Sequence, residues 1–276
     1  MHTGWLQRIR SARPLIECLT NDVTVNDVAN AILAIGASPV MGVASAEIPQ
    51  LITAAHAVVL NIGTLTETQE TVFELALQSA AKTATPVVFD PVGSGATAYR
   101  TDFCLRMLAE YPVSLIRGNA SEIASLLGES RSTVGVDAAA EDAITDSTLS
   151  AHAAIVAAVA SKYNCTVSMS GGIDIIGDAR SLLACRNGVP WMSAVTGTGC
   201  SLTGISAAFI AVSSPQEHTE AAATAVALMG AAGECAFERT HDIGIASFRV
   251  ALVDALSMMS DQKLDTLSNL SSITLL

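Results

Sequence analysis

Ala194-Val-Thr-Gly-Thr-Gly-Cys-Ser-Leu-Thr-Gly204 joins a strand pattern to a helix pattern through glycines at 197 and 199. Trp191 to Val195 reads as a short strand and Thr196 to Gly199 as a turn. From Cys200 a helical period places Leu202, Ile205, Phe209 and Val212 on one apolar face. The first N–H groups of a helix have no partner inside it, and the helix dipole adds partial positive charge there. Such a turn suits an anion such as a phosphate. Gly197 and Gly199 let the backbone approach that anion closely. Cys200 stands in the first turn, a position that favours a reactive sulfur. Glycines ahead of a helix also serve simple tight turns, so this stretch alone leaves both readings open. It is not a Walker loop, because no Gly-Lys-Ser/Thr follows. It is not a dinucleotide fingerprint either, because Leu202 stands where the third glycine belongs.

The same order of strand, polar loop and helix recurs upstream. Pro14 to Thr20 is an apolar strand, followed by Asn21-Asp22 and a helix from about Val25 to Ile35. Val28, Ala29, Ile32 and Leu33 of that helix should face the core, and Gly36 stops it. Ser38-Pro-Val-Met-Gly42 is a turn or short strand. Ala57 to Ile62 is a buried strand ended by Gly63-Thr64, and a helix spans about Glu67 to Thr83. Pro86 to Phe89 is a strand ending at Asp90, with the loop Pro91-Val-Gly-Ser-Gly95 after it and a helix from Thr101 to Glu110. Val113 to Ile116 is a strand that ends in Arg117-Gly118-Asn119, before a helix from about Ala120 to Leu127. A long helix covers about Ser147 to Lys162, Thr166 to Met169 is a strand, and Ser170-Gly-Gly172 is its loop. Ile173 to Ile176, Arg180 to Arg186 and Pro190 to Val195 read as short antiparallel strands, with Asn187-Gly188 as a hairpin turn. Helices over about 217–238 and 246–260 close the chain.

Strands alternating with helices give an α/β class with a mostly parallel central sheet and helices on both faces. No linker, internal repeat or low-complexity segment interrupts residues 1–276, so one domain is expected. Ligands of such sheets sit at the carboxyl ends of the strands. Asn21, Asn61 to Thr64, Asp90, Arg117, Asn119, Ser170, Gly171 and Gly197 to Cys200 all fall there. That convergence says more than any one motif.

Composition narrows the partners. Of 276 residues, 50% are hydrophobic and 14% charged, which supports a large core and argues against disorder. A net charge of −12 with no basic cluster excludes nucleic acid and anionic membrane surfaces as natural partners. Met1 to Arg13 carries Arg8, Arg10 and Arg13 but no apolar run after them, so neither a signal peptide nor a membrane span is expected. The six cysteines show no CxxC or Cys/His metal spacing and read as reduced thiols of a cytoplasmic protein. The abundant alanine and glycine fit close helix packing and a large subunit interface.

Asp90 has two readings: a turn or helix cap, or a strand-mouth carboxylate near Mg²⁺ or a phosphate-bearing ligand. Asn119-Ala-Ser-Glu122 is close to a capping box, and Glu122 can still hold a hydrated Mg²⁺ through water. Arg117 at a loop edge favours phosphate contact. Met41 reads as core on frequency alone, and the histidines share no spacing.

Together these residues make the chain resemble hydroxyethylthiazole kinase, a thiamine-salvage family of the ribokinase-like superfamily. The resemblance runs from about Cys18 to the last long helix. Its segments are Leu19-Thr-Asn21, Ala37-Ser-Pro-Val-Met41, Leu60-Asn-Ile-Gly-Thr64, Phe89-Asp-Pro-Val-Gly93, Ile116-Arg-Gly-Asn-Ala-Ser-Glu122, Gly135-Val-Asp137 and Val195-Thr-Gly-Thr-Gly-Cys200. The resemblance implies a ribokinase-like three-layer fold. It also implies transfer of the γ-phosphoryl group of ATP, with Mg²⁺, to the hydroxyethyl side chain of 4-methyl-5-(2-hydroxyethyl)thiazole. By the same resemblance Met41, Gly197 and Asn21 belong to the substrate site, and Arg117, Ser170 and Gly199 to the ATP site. Asp90 and Glu122 match acidic positions of the Mg²⁺–phosphate region, and Cys200 matches the catalytic position, where superfamily relatives usually carry aspartate. Ser170 replaces a threonine common there, and Gly172 stands where a relative carries an acidic residue. The family forms a homotrimer with sites between subunits.

Three other readings compete. A pyrimidine kinase of thiamine biosynthesis shares the superfamily fold, but Met41 and Cys200 favour the thiazole. A cysteine hydrolase needs a paired histidine that the scattered histidines do not offer. A binding regulator without catalysis has no need of Asp90, Glu122 and Cys200 together.

Overall fold

Short runs of branched and leucine-rich residues build the centre of the molecule. The computed structural model describes residues 4–128 and 143–274, so the Gly135-Val-Asp137 segment lies outside the described residues. The strands are β1 (Leu15–Leu19), β2 (Ser38–Val40), β3 (Ala57–Asn61), β4 (Val87–Asp90), β5 (Leu115–Asn119), β6 (Thr166–Ser170), β7 (Asp174–Gly177), β8 (Leu182–Cys185) and β9 (Leu270–Ile273). They form one sheet in the order β2-β1-β3-β4-β5-β6-β7-β8-β9. The pairs from β2 to β6 are parallel, and β6–β7, β7–β8 and β8–β9 are antiparallel.

Alternation along the strands feeds a core on each face. Ile16, Cys18, Val59 and Val88 point into one; Leu19, Val58, Leu60 and Phe89 point into the other. The first core is covered by α1 (Trp5–Ala12), α2 (Val25–Ala34), α8 (Thr198–Ala211), α9 (His218–Thr240), α10 (Ile245–Met258) and α11 (Asp261–Leu267). The second is covered by α3 (Ile48–Ala54), α4 (Glu67–Thr83), α5 (Ala98–Glu110), α6 (Ala120–Ser125) and α7 (Leu149–Tyr163). This is the expected arrangement of helices on both faces of a mostly parallel sheet. The strand order reverses between β1 and β3, which places a crevice above their carboxyl ends.

Helix α8 sits over that crevice, packed on β1, β3 and β4 and between α2 and α9. Ser201 to Ile210 are all buried, so the single apolar face expected for this helix is too narrow. A helix enclosed on every side needs small or apolar residues all round. Among the described residues no helix is long and apolar enough to cross a membrane.

Four local expectations are corrected. Trp191 to Val195 is not a strand: Pro190–Ala194 forms a short 3₁₀ turn. Trp191 packs edge-on against Phe237 at 5.1 Å and Phe248 at 5.7 Å, which draws the segment onto α9 and α10 and away from the sheet. The strand that pairs with β8 is β9, from the end of the chain. Asn187-Gly188 is therefore no hairpin turn; Asn187 instead donates to Leu267 O at 2.9 Å and accepts from Asn269 N at 2.7 Å. Leu33, expected in the core, is 56% exposed, whereas Val28 and Ile32 are buried.

Candidate active site

The site begins at the first turn of α8. Gly197 precedes it in the left-handed region at φ 86°, and no side chain caps the helix. Its first α-helical bond runs from Ser201 N to Gly197 O at 2.8 Å, so the N–H groups of Thr198, Gly199 and Cys200 have no acceptor within the helix. Gly199 lies hard against Arg117: a Cβ there would stand 2.7 Å from Arg117 Nη1. Only a glycine lets this guanidinium lie beside the open helix end, and both features attract an anion.

Arg117 leaves β5 and donates to Ser170 Oγ at 3.0 Å, and Ser170 in turn donates to Gly118 O at 3.3 Å. The buried Nε of Arg117 has no hydrogen-bond partner among the described residues. A cavity of about 610 Å³ opens between Arg117, Ser170, Gly171, Asp174, Thr198 and Gly199 on one side and the 186–193 segment on the other. Asp174 accepts from Gly171 N at 2.9 Å and shapes the loop after β6. Burial pushes the Asp174 carboxyl up to about 6, opposed by the Gly171 N–H and the Arg117 charge.

On the other side of the helix start, Cys200 meets the ends of β1 and β3. Asn21 Nδ2 donates to Cys200 Sγ at 3.2 Å and Asn61 Nδ2 donates to it at 3.3 Å. Below them lies Asp90, which is fully buried. Its Oδ2 accepts from Asn61 Nδ2 at 2.6 Å and from Thr203 Oγ1 at 2.7 Å, while its Oδ1 has no partner among the described residues. Burial pushes the Asp90 carboxyl up to about 6, against the pull of Arg117 and of the two hydrogen bonds.

Glu122 is half-buried and completes the capping box: its Oε2 accepts from Asn119 N at 2.8 Å, and Asn119 Oδ1 accepts from Glu122 N at 2.9 Å. Glu122 Oε1 also accepts from Gly93 N at 2.9 Å, which ties the loop after β4 to α6. Met41, just past β2, is half-buried and packs on the same core that receives Cys200 and Val195. The next residue is held from below, because Gly42 N donates to Glu17 Oε1 at 3.0 Å.

The structure thus gathers Asn21, Asp90, Arg117, Glu122, Ser170, Gly197, Gly199 and Cys200 at the carboxyl ends of the strands. Asn21 sits differently from a group presented to a ligand: its Oδ1 accepts from Val23 N and Thr24 N, and both its N–H groups are used inside the protein. Sequence reading placed Asn61 at the ligand end of its strand without a specific role, and did not single out Thr203, Asp174, Arg100 or Glu17. Helical spacing from Gly199 and Cys200 points to Thr203. Nothing local points to Arg100, which joins two loops by donating to Gly63 O at 2.9 Å and Val92 O at 2.7 Å.

The model of the hydroxyethylthiazole kinase family matches residues 6–262, a span that takes in every residue of this site. The chain belongs to the hydroxyethylthiazole kinase family. A hydroxyethylthiazole kinase of Desulfotalea psychrophila is 43% identical over 260 residues, covering 94% of this chain and 91% of the relative. The solved structure of a hydroxyethylthiazole kinase protein from Pyrococcus horikoshii OT3 superposes with a TM-score of 0.85 at 34% identity, covering 98% of each chain. A ribokinase-like superfamily protein from Enterococcus faecalis, at 15% identity, shares the fold with a TM-score of 0.61 over 90% of this chain and 88% of its own. The three-layer arrangement is accordingly ribokinase-like, and the protein is a kinase of the hydroxyethylthiazole kinase family.

Proposed function

We propose that this protein is a single-domain cytoplasmic enzyme that transfers the γ-phosphoryl group of ATP to the hydroxyethyl group of 4-methyl-5-(2-hydroxyethyl)thiazole, in thiamine salvage. The observation that carries the reading is the uncapped start of α8, flanked by Arg117 on one side and by Cys200 on the other. Phosphoryl transfer asks for positioning and charge neutralisation more than covalent help, and this geometry offers both. The six cysteines are free thiols, in keeping with a reducing compartment.

Arg117, steadied by Ser170, neutralises the polyphosphate, and the N–H groups of Thr198 to Cys200 receive the oxygens of the transferring group. Gly199 keeps Arg117 within reach of them. Met41 and Gly197 flank the thiazole. Cys200 accepts the hydroxyl proton of the alcohol as its oxygen bonds to phosphorus and the bond to the leaving ADP breaks.

The acidic residues fit a magnesium ion that the nucleotide brings. Asp90 Oδ1 is a buried carboxylate oxygen without a partner among the described residues, and Glu122 is a half-buried carboxylate close enough to act on it electrostatically. Among the described residues no group of three or more His, Cys, Asp or Glu forms a metal cage, which suits an ion that keeps waters and phosphates as ligands. Bound there, Mg²⁺ would neutralise charge on the phosphates. Glu122, whose oxygens already take Gly93 N and Asn119 N, would help hold that ion through water.

The test is ADP release from MgATP by the purified protein with and without the thiazole alcohol. Release that depends on the alcohol supports the reading; release that ignores it contradicts it.

A further inference from the structure

Both amides at Cys200 have their orientation fixed from the far end. Asn21 Oδ1 accepts from Val23 N, Thr24 N and Thr24 Oγ1, each at 3.1 Å. Asn61 Oδ1 accepts from Gly63 N at 3.0 Å and from Asn21 Nδ2 at 2.9 Å. Since these neighbours are donors, the oxygen ends must face them and the NH₂ ends must face the sulfur. The remaining N–H of Asn61 is anchored on Asp90 Oδ2 at 2.6 Å, where Thr203 Oγ1 arrives from α8 at 2.7 Å. Strand ends β1 and β3 and the start of α8 therefore fix one hydrogen-bonded unit.

We propose that Asn21 and Asn61 are positioning residues that form a two-donor clamp on the Cys200 sulfur, holding it as a hydrogen-bond acceptor toward the hydroxyl of the substrate alcohol. This rests on the kinase reading above and deepens it. As a thiolate, a sulfur that accepts two N–H groups has those two directions filled, and the direction left open is the one available to the O–H of the alcohol. Two N–H groups aimed at the sulfur stabilise negative charge on it. The same two donors suit a carboxylate, so the clamp accommodates an aspartate in place of Cys200. Neither asparagine needs to touch substrate: Asn21 has both N–H groups engaged inside the protein, and so has Asn61.

A double-mutant cycle with two readouts tests the clamp. In Asn61→Ala, kcat should fall roughly tenfold with the KM for ATP unchanged, the loss expected for one such hydrogen bond. In the Cys200→Ala background the same substitution should cause no further fall in kcat, because the group it acts through is gone. Alkylation of Cys200 by iodoacetamide, followed by peptide mass spectrometry without ATP, should slow several-fold. Asn21→Ala removes the other donor and gives the same pattern where Asn61→Ala does not fold. An equal loss of kcat in both backgrounds overturns the clamp, and so does unchanged or faster alkylation. Absence of thiazole-dependent ADP release from the wild-type protein overturns the kinase reading instead, and the alkylation rates still decide the clamp.

Discussion

Cys200 is half-buried, with two amide N–H groups on its sulfur and no histidine among its hydrogen-bond partners in the described residues. His56, His152 and His241 bond to backbone atoms elsewhere. A covalent cysteine mechanism asks for a base paired to the sulfur, and the proposed kinase reading gives Cys200 proton acceptance instead. Cys200→Ala should lower kcat by at most about 10²-fold, the low end of general acid–base help, with little change in the KM for ATP. Cys200→Asp should stay active, because the clamp and the helix N–H groups suit a carboxylate equally. Steady-state rates of both variants check this, together with mass spectrometry of quenched enzyme. An inactive Asp variant with a trapped adduct on Cys200 contradicts it. The sequence marked Cys200 by its place at a helix start, but not its partners, because those come from the ends of β1 and β3.

The start of α8 shows how an element makes a site. Its open N–H groups and Arg117 converge only because residue 199 lacks a side chain. Gly199→Ala should push the guanidinium away, raise the KM for ATP roughly tenfold through loss of a charge-assisted contact, and change kcat less. An unchanged KM in a folded variant contradicts this placement.

Elements with local signals were legible in advance. Helix α4 spans Glu67–Thr83 as read, because Thr66 and Gln69 form a capping box at its start. Elements that depend on distant partners were not. The first N–H groups of α1 are taken by Asp261, 255 positions away from Leu6. Strand β9 is a short Leu-Ser-Ser-Ile edge with no apolar run, and only its pairing with β8 makes it a strand. Trp191 reads as a strand residue by itself, and two aromatic neighbours turn it into part of a 3₁₀ turn.

At the scale of the whole molecule, α2 and α10 each expose a large aliphatic side chain. Leu33 of α2 and Val250 of α10 are 56% and 64% exposed. The two helices pack together and are pinned by Arg249 Nε donating to Asp27 Oδ1 at 3.0 Å. Exposed large aliphatic side chains on two packed helices are candidates for burial against another subunit. A homotrimer with sites between subunits would cover it. Light scattering should return three times the 28.4 kDa chain mass; a monomer with full activity contradicts that assembly.

The sharpest measurement is a competition between two alcohols. The purified protein is incubated with MgATP and equal amounts of 4-methyl-5-(2-hydroxyethyl)thiazole and a hydroxymethylpyrimidine, and the phosphorylated products are resolved by mass spectrometry beside the ADP formed. The expected result is phosphorylated thiazole in amounts equal to ADP, with the pyrimidine left unchanged. Phosphate on the pyrimidine alone, or ADP formed without any phosphorylated thiazole, would contradict the assignment.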